Sequence, residues 1–91
     1  MYYVYVLFSL KDRKLYVGYS QDIEKRIEDH NHGRVTATEN RLPIKLIYFE
    51  AYLSSTEAKR REQYLKGGSG RAQLKVQLQE TLKDCGYKYL S

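Results

Sequence analysis

Residues 2–19 read YYVYVLFSLKDRKLYVGY, and this stretch decides the fold. Tyr2 to Phe8 is a run of aromatic and β-branched side chains, which suit a pleated, half-buried surface. Leu15 to Tyr19 repeats that composition after the polar interval Ser9 to Lys14, so the two runs predict an antiparallel hairpin. An even number of connecting residues, as with Lys11 to Lys14 between a paired Leu10 and Leu15, puts Tyr5 and Tyr16 on one face. Tyr3 and Leu7 join Tyr5 there, while Val4, Val6, Phe8, Leu15 and Val17 supply the opposite face. Gly18 inside the second strand predicts a place where backbone or ligand must come close.

Beyond the hairpin the period changes. Ser20 or Asp22 can cap a helix whose apolar residues Ile23 and Ile27 are four apart, with Glu24 in the first turn and Asn31 and Gly33 as stops. Arg34 to Leu42 has no period and predicts an ordered loop before Pro43. Lys45 to Leu53 (KLIYFEAYL) resumes strand character. Ser54 with Glu57 has the form of a capping box, opening a helix that runs to about Lys66. Gly67, Gly68 and Gly70 break it, and a last helix from Arg71 to about Asp84 carries Leu74, Leu78 and Leu82 at four-residue steps. The predicted fold class is a small α/β (α+β) domain: a three-stranded, largely antiparallel sheet flanked by three helices, in the order β-β-α-β-α-α.

Ninety-one residues suffice for one domain, 1–91, and exclude a second independent core. Sixteen Lys and Arg against eleven Asp and Glu leave a net charge of +5, which favours a polyanionic partner without specifying it. A lone cysteine, Cys85, excludes an internal disulfide, and with only His30 and His32 beside it a structural zinc site is not expected. No apolar run approaches the roughly 20 residues of a membrane helix. Met1 to Leu10 lacks the basic start and small-residue cleavage site of a signal peptide. The expectation is a compact cytoplasmic protein with no membrane partner.

Two helices carry polar residues where the pattern calls for interest. Arg26 and His30 are four apart, one above the other beside the Ile23–Ile27 stripe, so they would project next to the hairpin. An exposed charged helix with Glu24, Lys25, Glu28 and Asp29 also accounts for them. In the later helix, Glu62 falls in the apolar stripe of Ala58 and Leu65, which carries it toward the interior or a cleft. A desolvated carboxylate needs a cation: a metal, or a base such as Arg61 or Lys66. Gly67-Gly68-Ser69-Gly70-Arg71 leads backbone amides into a helix, but it lacks the lysine and hydroxyl pattern of a phosphate loop and reads as a helix–helix turn.

Tyr3-Val4-Tyr5, the short hairpin and Tyr16-Val17-Gly18 resemble the paired motifs of the GIY-YIG nuclease superfamily, with Tyr3 in place of the first motif's glycine. The resemblance continues through Arg26 and His30, Thr36 to Lys45 (TATENRLPIK), Glu62 and the run Arg61 to Gly67, and it is similar to the small single-domain bacterial members over nearly the whole chain. It implies a metal-dependent endonuclease that hydrolyses phosphodiester bonds in DNA, with structured or damaged DNA in repair or recombination as a target. On that resemblance the catalytic residues are Tyr5, Tyr16, Arg26, His30 and Glu62. Glu62 would bind one Mg²⁺ or Mn²⁺ ion, Arg26 would clamp the scissile phosphate, and Tyr5, Tyr16 and His30 would position and deprotonate the attacking water. The final proton acceptor stays open between Tyr5 and His30. The family's asparagine in the last helix has no evident counterpart, Gln73 and Gln77 being nearest.

Arg34, Arg41, Lys45, Arg61, Lys66 and Arg71, with Arg60 and Lys75, are the candidate nucleic-acid contacts, expected along one rim of the cleft. A core this small would take its specificity from a homodimer or a partner protein. Two other readings stand beside the enzyme: a nucleic-acid-binding module of the same fold with little or no catalysis, and a protein–protein adaptor using exposed tyrosines.

Overall fold

The computed structural model describes residues 1–87. Strands β1 (Tyr2–Ser9), β2 (Leu15–Ser20) and β3 (Ile44–Tyr52) form one antiparallel sheet in the order β2-β1-β3, so the most apolar strand is central. Helices α1 (Ile23–Asn31), α2 (Ser55–Lys66), α3 (Gly68–Gln77) and α4 (Gln79–Asp84) complete the order β-β-α-β-α-α-α.

The hairpin closes differently from the simplest expectation. Phe8, not Leu10, faces Leu15, and the turn spans Ser9 to Lys14. Ser9 explains the change: its hydroxyl accepts from the amides of Lys11 and Asp12 and donates to the Arg41 carbonyl at 2.6 Å. That local hydrogen bonding takes Leu10 out of the ladder. The offset is two residues, so parity survives and every side chain keeps its expected face.

Val4, Val6, Phe8, Leu15 and Val17 meet Ala58 and Leu65 of α2, Leu74 of α3, and Leu78 and Leu82 in the main core. On the other face Tyr5, Leu7 and Ile44 pack with Tyr16, Ile23, Ile27, Leu42 and Leu46. The register between β1 and β3 shifts between Val6 and Leu7, where Val6 faces Tyr48 and Leu7 faces Leu46. Ile47 is the extra residue of this bulge.

The predicted final helix is corrected in two respects. It begins at Gly68, because Gly70 is where α3 crosses the end of α2: a Cβ there would overlap the Tyr64 carbonyl and the Leu65 backbone. It also bends at Leu78, whose backbone leaves helical geometry, giving α3 and α4 in place of one helix. Four-residue steps drift by about 40° each around a straight helix. The bend lets Leu74, Leu78 and Leu82 all reach the core.

Candidate active site

Each helix that brings a predicted residue to the sheet is started by its own sequence. Asp22 caps α1 by accepting from the Lys25 amide, which orients Ile23 and Ile27 onto the sheet and Arg26 and His30 beside them. Ser54 caps α2 by accepting from the Glu57 amide.

Tyr5 is the centre of the cluster. It stands opposite Gly18 on the neighbouring strand, and its ring occupies the space that a Gly18 side chain would fill. Its hydroxyl lies 2.8 Å from His30 Nε2 and accepts from Arg26 Nε at 3.4 Å. The other imidazole nitrogen, Nδ1, lies 2.7 Å from the Thr38 hydroxyl. Tyr16 sets its ring edge against the same imidazole, with centroids 5.3 Å apart. Tyr5, His30 and Thr38 are sealed from solvent, whereas Tyr16 and Arg26 are half-buried. Four of the five predicted residues therefore adjoin one another directly.

Glu62, the fifth, is paired with Lys66 instead and acts on Tyr5 only as a minor charge. Burial pushes the Tyr5 hydroxyl up to about 12; the Arg26 hydrogen bond opposes this, while Tyr16 and the Glu62 carboxylate add to it. Burial also pulls His30 down to about 4, and the neighbouring Arg26 charge adds to that fall against Asp29. At neutral pH the free site holds a neutral phenol and a neutral imidazole.

Glu62 is held by Lys66 at 3.2 Å, one turn further along α2, with the carboxylate side chain 14% and the lysine side chain 43% exposed. No group of three or more metal-ligating side chains exists among the described residues. One carboxylate nonetheless fits Mg²⁺ or Mn²⁺, hard ions that keep several waters and complete their shell with substrate phosphate.

The basic residues do not form one rim. Arg61 grips Glu50 through Nε at 2.9 Å and Nη2 at 3.0 Å. Glu50 stands opposite Val4, so that pair belongs to the α2–α3 face of the sheet, away from the Tyr5 ring. Arg41 binds Asp12 at 2.6 Å and, with Arg71, converges on the Leu15 carbonyl, one residue before Tyr16. Arg34 pairs with Asp29 at 3.2 Å. Lys45 is exposed on β3, opposite Phe8. Gln77, one of the two glutamines nearest to the family's asparagine, donates to Tyr48 instead. Thr38 is the site residue that sequence reasoning passed over, since nothing in an aperiodic loop marks one threonine as buried.

A central-strand tyrosine crossed over a glycine and bonded to a helix histidine and arginine marks the site of this small α+β domain. The family described as GIY-YIG catalytic domain matches residues 1–75, and the chain belongs to it. A UPF0213 protein of Clostridium perfringens is 38% identical over 97% of this chain and 95% of its own length. Another from Staphylococcus saprophyticus is 41% identical over 82% and 92%. The solution structure of a UPF0213 protein from Bacillus halodurans superimposes with a TM-score of 0.52 at 36% identity, covering 86% of this chain and 85% of that one. No helix among the described residues is long and apolar enough to cross a membrane.

Proposed function

We propose that this chain, as one domain over 1–91, is a divalent-metal-dependent endonuclease that hydrolyses phosphodiester bonds in DNA. The observation that carries this reading is the hydrogen-bonded line Arg26–Tyr5–His30 with the Tyr16 ring against the same imidazole. GIY-YIG membership supports it.

Arg26 would bind the scissile phosphate. Its Nε is engaged by Tyr5, and the rest of the planar fork suits the non-bridging oxygens, where charge gathers in the transition state. A phosphate there offsets the Arg26 charge, which adds to burial in depressing His30. Tyr16, at the solvent edge, would place the attacking water. As the water oxygen bonds to phosphorus and the P–O3′ bond breaks, its proton would pass to the Tyr5 oxygen, which substrate binding at Arg26 must first uncover, and the Tyr5 proton would pass to His30 Nε2. The direction of the Tyr5–His30 hydrogen bond makes His30 the final acceptor in this relay, and burial opposes the transfer, since the phenol rests at about 12 and the imidazole at about 4. Glu62 would hold the Mg²⁺ or Mn²⁺ ion, which when bound supplies Lewis-acid stabilisation of the leaving 3′-oxygen. Lys66 must then release the carboxylate.

Arg34, Arg41, Lys45, Lys66 and Arg71 remain the candidate backbone contacts, and Arg61 is a weaker one because of Glu50. A bacterial enzyme of this kind would act in the cytoplasm on structured or damaged DNA during repair or recombination, with a homodimer or partner protein supplying specificity.

The test is nicking of duplex, single-stranded and branched DNA, and of RNA, with Mg²⁺, Mn²⁺ or EDTA, alongside Arg26→Ala. Metal-dependent cleavage of DNA that the variant loses is expected. Salt-sensitive DNA binding without cleavage under any metal would make the chain a binding module instead.

A further inference from the structure

The line of hydrogen bonds through His30 has a donor at one end and an acceptor at the other. Arg26 Nε can only donate to Tyr5 Oη at 3.4 Å, and His30 Nε2 at 2.8 Å is the acceptor within reach of the buried Tyr5 hydrogen among the described residues. At the far end the Val35 carbonyl can only accept, and Thr38 Oγ1 donates to it at 3.5 Å. With Nε2 accepting from Tyr5, a neutral ring carries its one hydrogen on Nδ1, so Oγ1 accepts there at 2.7 Å. Every bond between these ends then points the same way. The Thr38 amide also donates to Val35 O at 3.0 Å, so the loop itself fixes where the hydroxyl stands.

We propose that Thr38 is a positioning residue for His30, holding the imidazole with Nδ1 protonated so that Nε2 is turned to Tyr5 as an acceptor. The proposal rests on the reading of Tyr5 and His30 as the proton-transfer pair. A neutral hydroxyl suits the task better than a carboxylate would. It orients the ring without adding a charge that would hold a proton on His30 before substrate arrives. The groups facing His30 are Tyr5 from β1, Tyr16 from β2, Arg26 and Asp29 from α1, and Thr38 from the loop. Among them Thr38 alone reaches Nδ1.

The experiment is long-range ¹H–¹⁵N NMR of the His30 ring at neutral pH in the full chain, on wild type, Thr38→Val and Thr38→Ser. The wild type and the serine variant are expected to show a protonated Nδ1 and a bare Nε2. The valine variant, matched in shape, is expected to show a mixture or the opposite tautomer. Cleavage by Thr38→Val should fall ten- to a hundredfold in kcat with KM for DNA unchanged, and serine should restore most of it. A wild-type spectrum with bare Nδ1 overturns the proposal, and so does a valine variant with the wild-type tautomer. If Thr38→Val does not fold, the wild-type and serine spectra decide. The spectra read the tautomer whether or not the protein cuts DNA, so failure of the nuclease reading and failure of the Thr38 role are told apart.

Discussion

The ring of Tyr5 fills the volume that any side chain on Gly18 would need, and this cross-strand pair sets the geometry of the whole site. Lying over a bare backbone, the ring crosses toward the β2 edge and carries its hydroxyl to His30 and Arg26.

Gly18→Ala should therefore act on Tyr5. A methyl group would overlap the phenol end of the ring and displace it from His30. Overpacking of this kind costs about 1–3 kcal/mol. Denaturant melts should show that loss, with cleavage by the folded protein reduced at least tenfold. An alanine variant with wild-type stability and full activity would show that Tyr5 has room to move without consequence.

Glu62→Gln separates metal binding from structure. The Lys66 pair is partly exposed and spans one helical turn, so its loss should cost less than about 1 kcal/mol. Metal-dependent cleavage should fall by orders of magnitude, and metal-free DNA binding should hold or tighten slightly as a carboxylate is removed. Melts and nicking assays on the same preparations decide the matter. A variant that melts far lower and loses activity only in proportion to its unfolded fraction would return Glu62 to a purely structural role.

What the sequence made legible follows from what repeats along the chain. Strand alternation assigned Tyr5 and Tyr16 to one face although the hairpin register was two residues off, because only parity matters for faces. Four-residue spacing placed Arg26 and His30 together. The misses are long-range or aperiodic. Thr38 sits in a loop without a period. The bend at Leu78 arises from docking three leucines and has no glycine or proline to signal it. Charge alone also does not reveal that Glu50, on another element, holds Arg61.

Arg61→Ala should thus read out in stability rather than in catalysis. Glu50 also accepts from Tyr48 at 2.7 Å and Tyr52 at 2.6 Å. Burial tends to raise its pKa, but the bonds from Arg61, Tyr52 and Tyr48 outweigh that and leave it below the ordinary value. Removing the arginine leaves a half-buried carboxylate short of its cation, at about 3 kcal/mol. Nicking per folded molecule should stay near wild type. A large drop in activity at unchanged stability would place Arg61 at the DNA after all.

The last prediction concerns acid and His30. Burial first and Arg26 second pull its pKa from 6.5 to about 4 in the folded chain, with Asp29 opposing. Between those two values the unfolded chain binds the proton and the folded chain does not, so folding stability rises with pH across that window. The contribution is complete above 6.5 and is lost as pH falls toward 4, amounting to about 3 kcal/mol. Glu50, Asp12 and Asp29 also have lowered pKa values, but as carboxylates they act below the ordinary carboxylate range, which leaves the interval from pH 6.5 to 5 to His30. Urea melts at closely spaced pH values should show stability declining through that interval in the wild type. His30→Gln, less stable at pH 7.5, should show little decline there. A wild type with flat stability from pH 7.5 to 5, or a variant that keeps the slope, would mean that His30 is not held neutral by its burial against Tyr5 and Arg26.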